Sequence, residues 1–161
     1  SSHLDGVIPL FEEAGCNIKV RNSKLKIDSP SRLKSFKYVR TMPYPGFPTD
    51  AQAVMMSVAT VAKGTTVFVE NIFESRYRHV EDLTRLGANI KVANKVAVVE
   101  GVDRLFGAKV VATELRGAAA LVVASLKAEG RTEIEGIKYL ERGYEDLEVV
   151  LSSLGANIRK V

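Results

Sequence analysis

An aspartate and an arginine occupy the same place in two internal repeats of the sequence. Asp50 lies 14 residues before Gly64, and Arg116 lies 14 residues before Gly130. A carboxylate can take or orient the proton of a substrate hydroxyl, and a guanidinium group can hold a carboxylate or phosphate through paired hydrogen bonds. The spacing predicts that both residues stand at the start of related helices, where they could serve one site.

Two further arginines show the same correspondence. Arg76 and Arg142 each lie 12 residues after the repeat glycine, at the expected entrance to a short helix. With Arg116 they would put three cations at helix N-termini, where the helix dipole disfavours a positive charge by about 0.3–1 kcal/mol. A bound anion would reverse that sign, because helix N–H groups and guanidinium groups both donate to it. The three arginines therefore indicate an anion site at one end of the domain, beside Asp50.

The same residues allow other interpretations. Thr49 and Gln52 could form a capping box, in which case Asp50 only complements the helix dipole. His79 is expected to be buried or capping, and Cys16, which replaces an alanine of the other repeats, is expected to be a packing residue. Each arginine could also pair with a nearby glutamate, namely Glu74, Glu114, Glu141 or Glu145.

Repeated phrases define the elements that must position these residues. A Gly-Ala-Asn-Ile phrase, with Cys for Ala in its first copy, occurs three times, and Ala-x-Gly-x-Thr occurs twice. Each phrase predicts a helix that ends at the glycine and is followed by a strand. The predicted helices cover 7–14, 50–63, 80–86 and 115–129, and strands 90–92 and 95–99 are predicted to form a hairpin over Ala93-Asn94.

The two longer predicted helices are apolar nearly all round. Residues 51–62 and 118–126 contain few polar side chains. Such a helix is typical of an interior position, because a surface helix keeps one polar face. We therefore expect an α/β domain of repeated units in which these two helices are buried.

Composition restricts the class of protein. The 161 residues carry a formal net charge of +4 and are 46% hydrophobic, which favours one folded domain over disorder or a nucleic-acid-binding surface. A single cysteine provides no disulfide and no cysteine-rich metal site. The longest apolar stretch is shorter than the ~20 residues of a membrane helix, and no signal peptide is visible. A cytoplasmic protein without a metal or cofactor is expected.

The repeats also indicate that the fold is unfinished within these residues. One complete unit covers 50–115, but the residues before it lack a long helix and those after it lack a closing strand. We therefore expect another segment to supply the missing parts.

Four segments carry a family resemblance, namely Pro45–Ala53, Glu70–Val80, Thr113–Leu121 and Glu141–Glu145. They resemble the UDP-N-acetylglucosamine 1-carboxyvinyltransferase family, the enolpyruvyl transferases of the first committed step of peptidoglycan synthesis. The likeness runs in order through nearly the whole chain, with Ser75, Arg78 and Glu114 as small departures.

The resemblance implies an inside-out, barrel-like α/β fold of βαβαββ units, with helices inside and sheets outside. It further implies that residues 1–161 form one domain, the C-terminal half of a two-domain enzyme. The domain with the family's catalytic cysteine would then be absent, since Cys16 belongs to a repeat phrase. The fragment alone is expected to be inactive.

The implied reaction transfers the enolpyruvyl group of phosphoenolpyruvate to the 3′-hydroxyl of UDP-N-acetylglucosamine. Asp50 aligns with the family's aspartate at that hydroxyl, as base or as orienting group. Ile72 aligns with a residue whose backbone contacts the sugar nucleotide. Arg76, Arg116 and Arg142 align with arginines around the carboxylate and phosphate of phosphoenolpyruvate.

Two other functions stay open at this point. The enzyme that makes enolpyruvylshikimate phosphate shares the fold and the phosphoenolpyruvate chemistry. A repeat domain that binds anions without catalysis would explain the arginines, although not the aspartate beside them.

Overall fold

Helices and strands follow one another in a repeated order. A computed structural model describes residues 4–161 of the chain. The middle of the chain contains one complete βαβαββ unit, from β3 to β6, and a 3-10 helix at Ile137–Arg142 precedes the last helix. In chain order the elements are α1 (Ile8–Glu13), β1 (Asn17–Arg21), β2 (Lys24–Asp28), β3 (Tyr38–Arg40), α2 (Thr49–Ala59), β4 (Thr65–Val69), α3 (Val80–Arg85), β5 (Asn89–Ala93), β6 (Val96–Glu100), β7 (Leu105–Phe106), β8 (Lys109–Val111), α4 (Leu115–Ser125), β9 (Ala128–Glu129), β10 (Glu133–Glu135) and α5 (Leu147–Ser153).

Helices α2 and α4 pack against each other in the interior. The hydroxyl of Ser57 on α2 donates to the carbonyl oxygen of Ala120 on α4 over 2.7 Å. Most of the buried side chains on both helices are small, which allows close approach of the two backbones. The prediction that these helices are interior is therefore confirmed. The buried residues are Gln52, Ala53, Met55, Met56, Ser57 and Ala59 on α2, and Gly117, Ala118, Ala119, Ala120, Leu121, Val122 and Ala124 on α4.

The largest sheet has four strands in the order β3-β4-β6-β5. Strands β3 and β4 are parallel, whereas β6 runs antiparallel to both β4 and β5. Phe68, Ala97 and Val99 on this sheet are fully buried. Two smaller sheets lie around α4, β7 with β9 and β8 with β10, and both are parallel like the β3–β4 pair. The fold is thus the α/β class that the repeats predict, with the long helices α2 and α4 inside and the sheets around them.

The repeat phrase ends three short helices in the same way. Gly15, Gly87 and Gly155 follow α1, α3 and α5, with φ angles of 107°, 97° and 95°. That left-handed conformation is costly for a residue with a Cβ atom, so glycine ends each helix and turns the chain outward. The predicted helix stops are confirmed at all three positions.

The two equivalent hairpins differ in how well they are covered. In β5–β6, Ala97 and Val99 are fully buried because β4 pairs with β6 and the core lies beneath. In β1–β2, a two-stranded sheet, the equivalent side chains of Leu25 and Ile27 are 40% and 50% exposed. The apolar side chains of the first hairpin are therefore much less completely buried than those of the second.

One local prediction is wrong by one residue. Ala93 pairs with Val96, so the hairpin turn lies at Asn94-Lys95 rather than Ala93-Asn94. Asn94 has a φ of 53°, and asparagine tolerates that conformation in a two-residue turn.

Both long helices end earlier than the apolar pattern predicts. Helix α2 stops at Ala59, because the next residues bond to neighbouring segments: the carbonyl oxygen of Thr60 accepts from the N–H of Val102 over 2.7 Å. Helix α4 stops at Ser125, and Ala128–Glu129 join β7 as a strand. Tertiary hydrogen bonds thus outweigh the local preference for helix at these ends.

Within residues 4–161 no helix has the length and apolar character needed to cross a membrane. The same residues contain no group of three histidine, cysteine, aspartate or glutamate side chains placed to hold a metal ion.

Candidate functional site

Asp50 and Arg116 form an ion pair between the first turns of α2 and α4. The Nε atom of Arg116 lies 2.6 Å from Oδ1 of Asp50. The Asp50 side chain is largely exposed, and that of Arg116 is one-third exposed. The expectation that these residues stand at equivalent helix starts is confirmed, and the pair holds the carboxylate in one orientation at the rim of the domain.

The N-terminus of α4 already has its own anion. Glu114 is the N-cap, and its carboxylate accepts from the N–H groups of Arg116, over 3.1 Å, and Gly117, over 2.6 Å. This contact satisfies two of the helix's unpaired donors. It also offsets the unfavourable charge of Arg116 at a helix N-terminus. From the sequence alone, a bound anion or a salt bridge was expected to do this.

Glu70 is a buried carboxylate at the end of β4. Its Oε1 atom accepts from the Thr41 hydroxyl over 2.9 Å and from the N–H groups of Ile72 and Phe73 over 2.9 and 3.2 Å. Its Oε2 atom accepts from the Thr49 hydroxyl over 2.9 Å. The turn that carries Ile72 is thereby tied to the start of α2.

The Thr49 contact overturns the capping-box interpretation. Pro48, not Thr49, is the N-cap of α2, and the cap has no side-chain hydrogen bond. The Thr49 hydroxyl points to Glu70, while Gln52 is buried on the inner face of the helix. Asp50 lies in the first turn, where its charge complements the dipole.

Arg76 lies in the loop before α3, above an aromatic ring. Its guanidinium carbon is 4.1 Å from the centroid of Phe73, a geometry that gives a cation–π attraction. A cavity of about 220 Å³ adjoins this pair and is lined by Glu70, Phe73, Glu74, Ser75, Arg76, Tyr77, Asn94 and Lys95.

Tyr77 closes the inner side of this loop. Its hydroxyl donates to the carbonyl oxygen of Lys95 over 2.9 Å and lies 3.3 Å from that of Phe68. Burial, with the nearby negative charge of Glu70, raises the pKa of Tyr77 to about 12. Tyr77 therefore stays protonated and acts as a donor that fastens the loop to β4 and the β5–β6 turn.

Arg142 ends the 3-10 helix at Ile137–Arg142 and lies five residues before α5, as Arg76 lies four residues before α3. The expectation that these two arginines stand at helix N-termini is therefore wrong. The guanidinium carbon of Arg142 lies 5.3 Å from the ring centroid of Tyr139. The next residue, Gly143, packs on α4: a Cβ atom there would meet a Leu115 methyl group at 2.8 Å. Arg142 is therefore adjacent in sequence to a residue that contacts Leu115, and Leu115 directly precedes Arg116.

His79 links the Arg76 loop to α4. It is 3% exposed, and neither ring nitrogen has a hydrogen-bond partner among the described residues. A Cβ atom on Gly117 would lie 3.1 Å from the His79 Cβ. Burial lowers the pKa of His79 to about 4, an effect that the Glu114 carboxylate partly opposes. The expectation of a buried histidine is confirmed, and the side chain is neutral at pH 7.

These contacts gather the segments of the predicted site residues at the N-terminal ends of α2 and α4. Asp50 and Arg116 are in direct contact, Ile72 and Arg76 lie on the loop fixed by Glu70, and Gly143, the residue after Arg142, packs on Leu115. Among residues 4–161, the ion pairs do not join the three arginines to Glu74, Glu114, Glu141 or Glu145. That the three guanidinium groups converge on one anion stays a prediction.

Glu70 is the residue that sequence reasoning missed. A glutamate after an apolar strand is usually solvated, and its partners come from three separate stretches of chain. The one available signal was its place two residues before Ile72 in a segment that carries the family resemblance.

Comparisons with known proteins identify the family to which this fold belongs. A family model described as EPSP synthase (3-phosphoshikimate 1-carboxyvinyltransferase) matches residues 2–151. The crystal structure of the enolpyruvyl transferase NikO from Streptomyces tendae covers 99% of the chain, with a TM-score of 0.86 at 28% identity. The chain therefore belongs to the EPSP synthase family of enolpyruvyl transferases.

Within that family, closer relatives carry a more specific name. UDP-N-acetylglucosamine 1-carboxyvinyltransferase 2 of Caldanaerobacter subterraneus is 47% identical over 99% of this chain, and the 1-carboxyvinyltransferase of Myxococcus xanthus is 48% identical over 98%. The resemblance drawn from the motif segments is confirmed. The chain spans 38% and 37% of the length of these two relatives, and 38% of the NikO chain.

Proposed function

We propose that this chain is one domain of an enzyme that transfers the enolpyruvyl group of phosphoenolpyruvate to the 3′-hydroxyl of UDP-N-acetylglucosamine. The names of the relatives support this acceptor, and the family supports the transfer. The observation that carries the proposal is the 2.6 Å ion pair between Asp50 and Arg116. It presents a carboxylate for a hydroxyl and a guanidinium group for an anion at one rim.

Asp50 takes the proton of the acceptor hydroxyl or orients that hydroxyl. Because Arg116 donates to Oδ1, the second carboxylate oxygen is the one that remains for the substrate. The hydroxyl oxygen adds to C2 of phosphoenolpyruvate as its proton passes to the base and C3 takes a proton. Phosphate then leaves while C3 loses a proton, which restores the double bond between C2 and C3. A base must lie within hydrogen-bond reach of the hydroxyl proton, and the exposed rim position of Asp50 allows that reach.

The three arginines hold the second substrate. Phosphoenolpyruvate brings a carboxylate and a phosphate, and planar guanidinium groups bind both through paired hydrogen bonds. Arg116 is aligned by Asp50, whereas Arg76 and Arg142 are supported by aromatic rings. Fixed positive charge also stabilises the charge that develops during addition and phosphate loss.

The remaining parts of the enzyme are proposed to lie outside residues 1–161. An N-terminal domain would supply the catalytic cysteine that protonates C3 and would close the cleft over the arginines. The reaction places the enzyme in peptidoglycan synthesis in the cytoplasm, where both substrates are made. Residues 1–161 then form one domain, the C-terminal half of the enzyme.

Phosphate release tests the proposal. The full-length protein that contains these residues is incubated with phosphoenolpyruvate and either UDP-N-acetylglucosamine or shikimate 3-phosphate, beside the 161-residue chain alone. We expect release with the sugar nucleotide only, and none from the short chain. Phosphate release with shikimate 3-phosphate but not with the sugar nucleotide would assign the reaction that makes enolpyruvylshikimate phosphate. If neither acceptor led to phosphate release, transferase activity would be contradicted. Turnover by the short chain would show that the second domain is dispensable.

A further inference from the structure

Glu70 is an unusually well-satisfied buried carboxylate. It is 1% exposed, and four donors from Thr41, Thr49, Ile72 and Phe73 point at its two oxygen atoms. An ionised carboxylate is costly to bury unless such donors replace water. Hydrogen bonds to a charged acceptor are also stronger than neutral ones, so the four donors are held firmly in place.

The network reaches the two residues expected to contact the sugar nucleotide. Thr49 directly precedes Asp50 in the first turn of α2, and the N–H of Ile72 is committed to Glu70. Since that N–H is occupied, the carbonyl oxygen is the backbone group of Ile72 that can still bind a ligand hydroxyl, as an acceptor. Glu70 sets the position of that oxygen relative to the Asp50 carboxylate.

A second chain of contacts runs towards Arg76. Glu70 accepts from the N–H of Phe73, and the Phe73 ring supports the Arg76 guanidinium group at 4.1 Å. This route passes through a side-chain stack that can adjust. The route to Ile72 is a direct hydrogen bond, so the sugar-nucleotide side depends more tightly on Glu70.

We propose that Glu70 is a positioning residue for the sugar nucleotide: it sets the distance between Asp50 and the Ile72 carbonyl oxygen without contacting substrate itself. The inference rests on the proposed function, because it assigns the acceptor's hydroxyl groups to those two atoms. The Glu70 side chain must have the right length, since it spans two segments at once, whereas an amide of the same length can bond to the same partners.

Four variants of the full-length enzyme separate positioning from charge and from general stability. Glu70→Gln keeps the length and one carbonyl oxygen, and its amide can donate to the Thr49 hydroxyl. Glu70→Asp keeps the charge but is one methylene shorter, and Glu70→Ala removes the acceptor. Ser57→Ala is the matched control, because it deletes a buried hydrogen bond between α2 and α4 that does not involve Glu70.

We expect Glu70→Asp and Glu70→Ala to raise the KM for UDP-N-acetylglucosamine about tenfold, the size of one lost, well-placed hydrogen bond. Glu70→Gln should stay within about threefold of wild type, and the KM for phosphoenolpyruvate should change less than threefold in every variant. Ser57→Ala should lower Tm without changing either KM. If Glu70→Ala fails to fold, the contrast between Glu70→Asp and Glu70→Gln decides.

Equal changes in both KM values, or a sugar-nucleotide KM unaffected by Glu70→Asp, would overturn the inference while leaving the proposed function in place. Wild-type enzyme that does not use UDP-N-acetylglucosamine would overturn both.

Discussion

His79 and Gly117 lie so close together that a Cβ atom on Gly117 would be 3.1 Å from the Cβ of His79. The same Cβ atom would be 2.8 Å from Oε1 of Glu114, the cap of α4. The glycine therefore lets the Arg76 loop rest directly on the first turn of α4. Two segments that carry site arginines are brought together by the absence of a methyl group.

Gly117→Ala should destabilise the protein by about 1–3 kcal/mol, because the methyl group crowds His79 and displaces the Glu114 cap. Helix propensity alone predicts the opposite sign, a gain of about 1 kcal/mol for alanine. Urea unfolding decides between them. A stabilised variant would mean that the loop gives way easily and that the contact is not a constraint.

His79 should make stability fall in mild acid. Its pKa is about 4 in the folded protein and 6.5 when unfolded, so the unfolded chain binds the extra proton between these values. Between pH 7.5 and pH 5 this costs about 2 kcal/mol, and the loss levels off only below pH 4, where the folded protein also binds the proton. His79→Phe removes the titration, and its unfolding free energy should fall less over the same range. Parallel pH profiles for the two proteins would contradict a buried neutral histidine.

Asp50→Asn in the full-length enzyme should reduce kcat by roughly 100-fold or more, as loss of a positioned base does. Affinity for UDP-N-acetylglucosamine should stay within a few-fold, because asparagine still accepts from the sugar and from Arg116. Turnover and equilibrium binding are measured on the same preparation. Asp28→Asn, an exposed aspartate on β2, is the control and should change neither. A variant that binds poorly but turns over normally would assign Asp50 to binding alone.

Arg142→Ala should impair the use of phosphoenolpyruvate more than that of the sugar nucleotide. Loss of a charge-assisted hydrogen bond to an anion costs about 1.5–3 kcal/mol, which corresponds to a KM increase of roughly tenfold to a hundredfold. Arg131→Ala removes an exposed arginine paired with Glu133 and should leave both KM values unchanged. An equal effect of the two substitutions would place Arg142 outside the site.

The sequence was most informative where a repeat made one residue's role visible more than once. Glycine at 15, 87 and 155 predicted three helix ends, because a left-handed residue there suits glycine in every copy. The all-round apolar pattern of α2 and α4 likewise predicted interior helices. Repetition also led from Asp50 to Arg116, which are in contact although 66 residues separate them.

Features made by distant partners could not be predicted in this way. Thr49 looked like a helix cap, but Glu70 takes its hydroxyl; the start of α2 is set by a residue from the next strand. The spacing of Arg142 from Gly130 predicted the start of a helix, whereas Arg142 is the last residue of a 3-10 helix. Local patterns carry no record of such tertiary competition.

The uneven cover of the two equivalent hairpins gives the molecule a gradient of local stability. Leu25 and Ile27 are 40% and 50% exposed, whereas Ala97 and Val99 are fully buried, and β2 has one strand partner where β6 has two. The free energy needed to open β1–β2 is therefore the smaller of the two, because fewer apolar contacts and hydrogen bonds oppose it. Of the two hairpins, β1–β2 opens first, while the four-stranded sheet that carries Glu70 at the end of β4 still keeps its register.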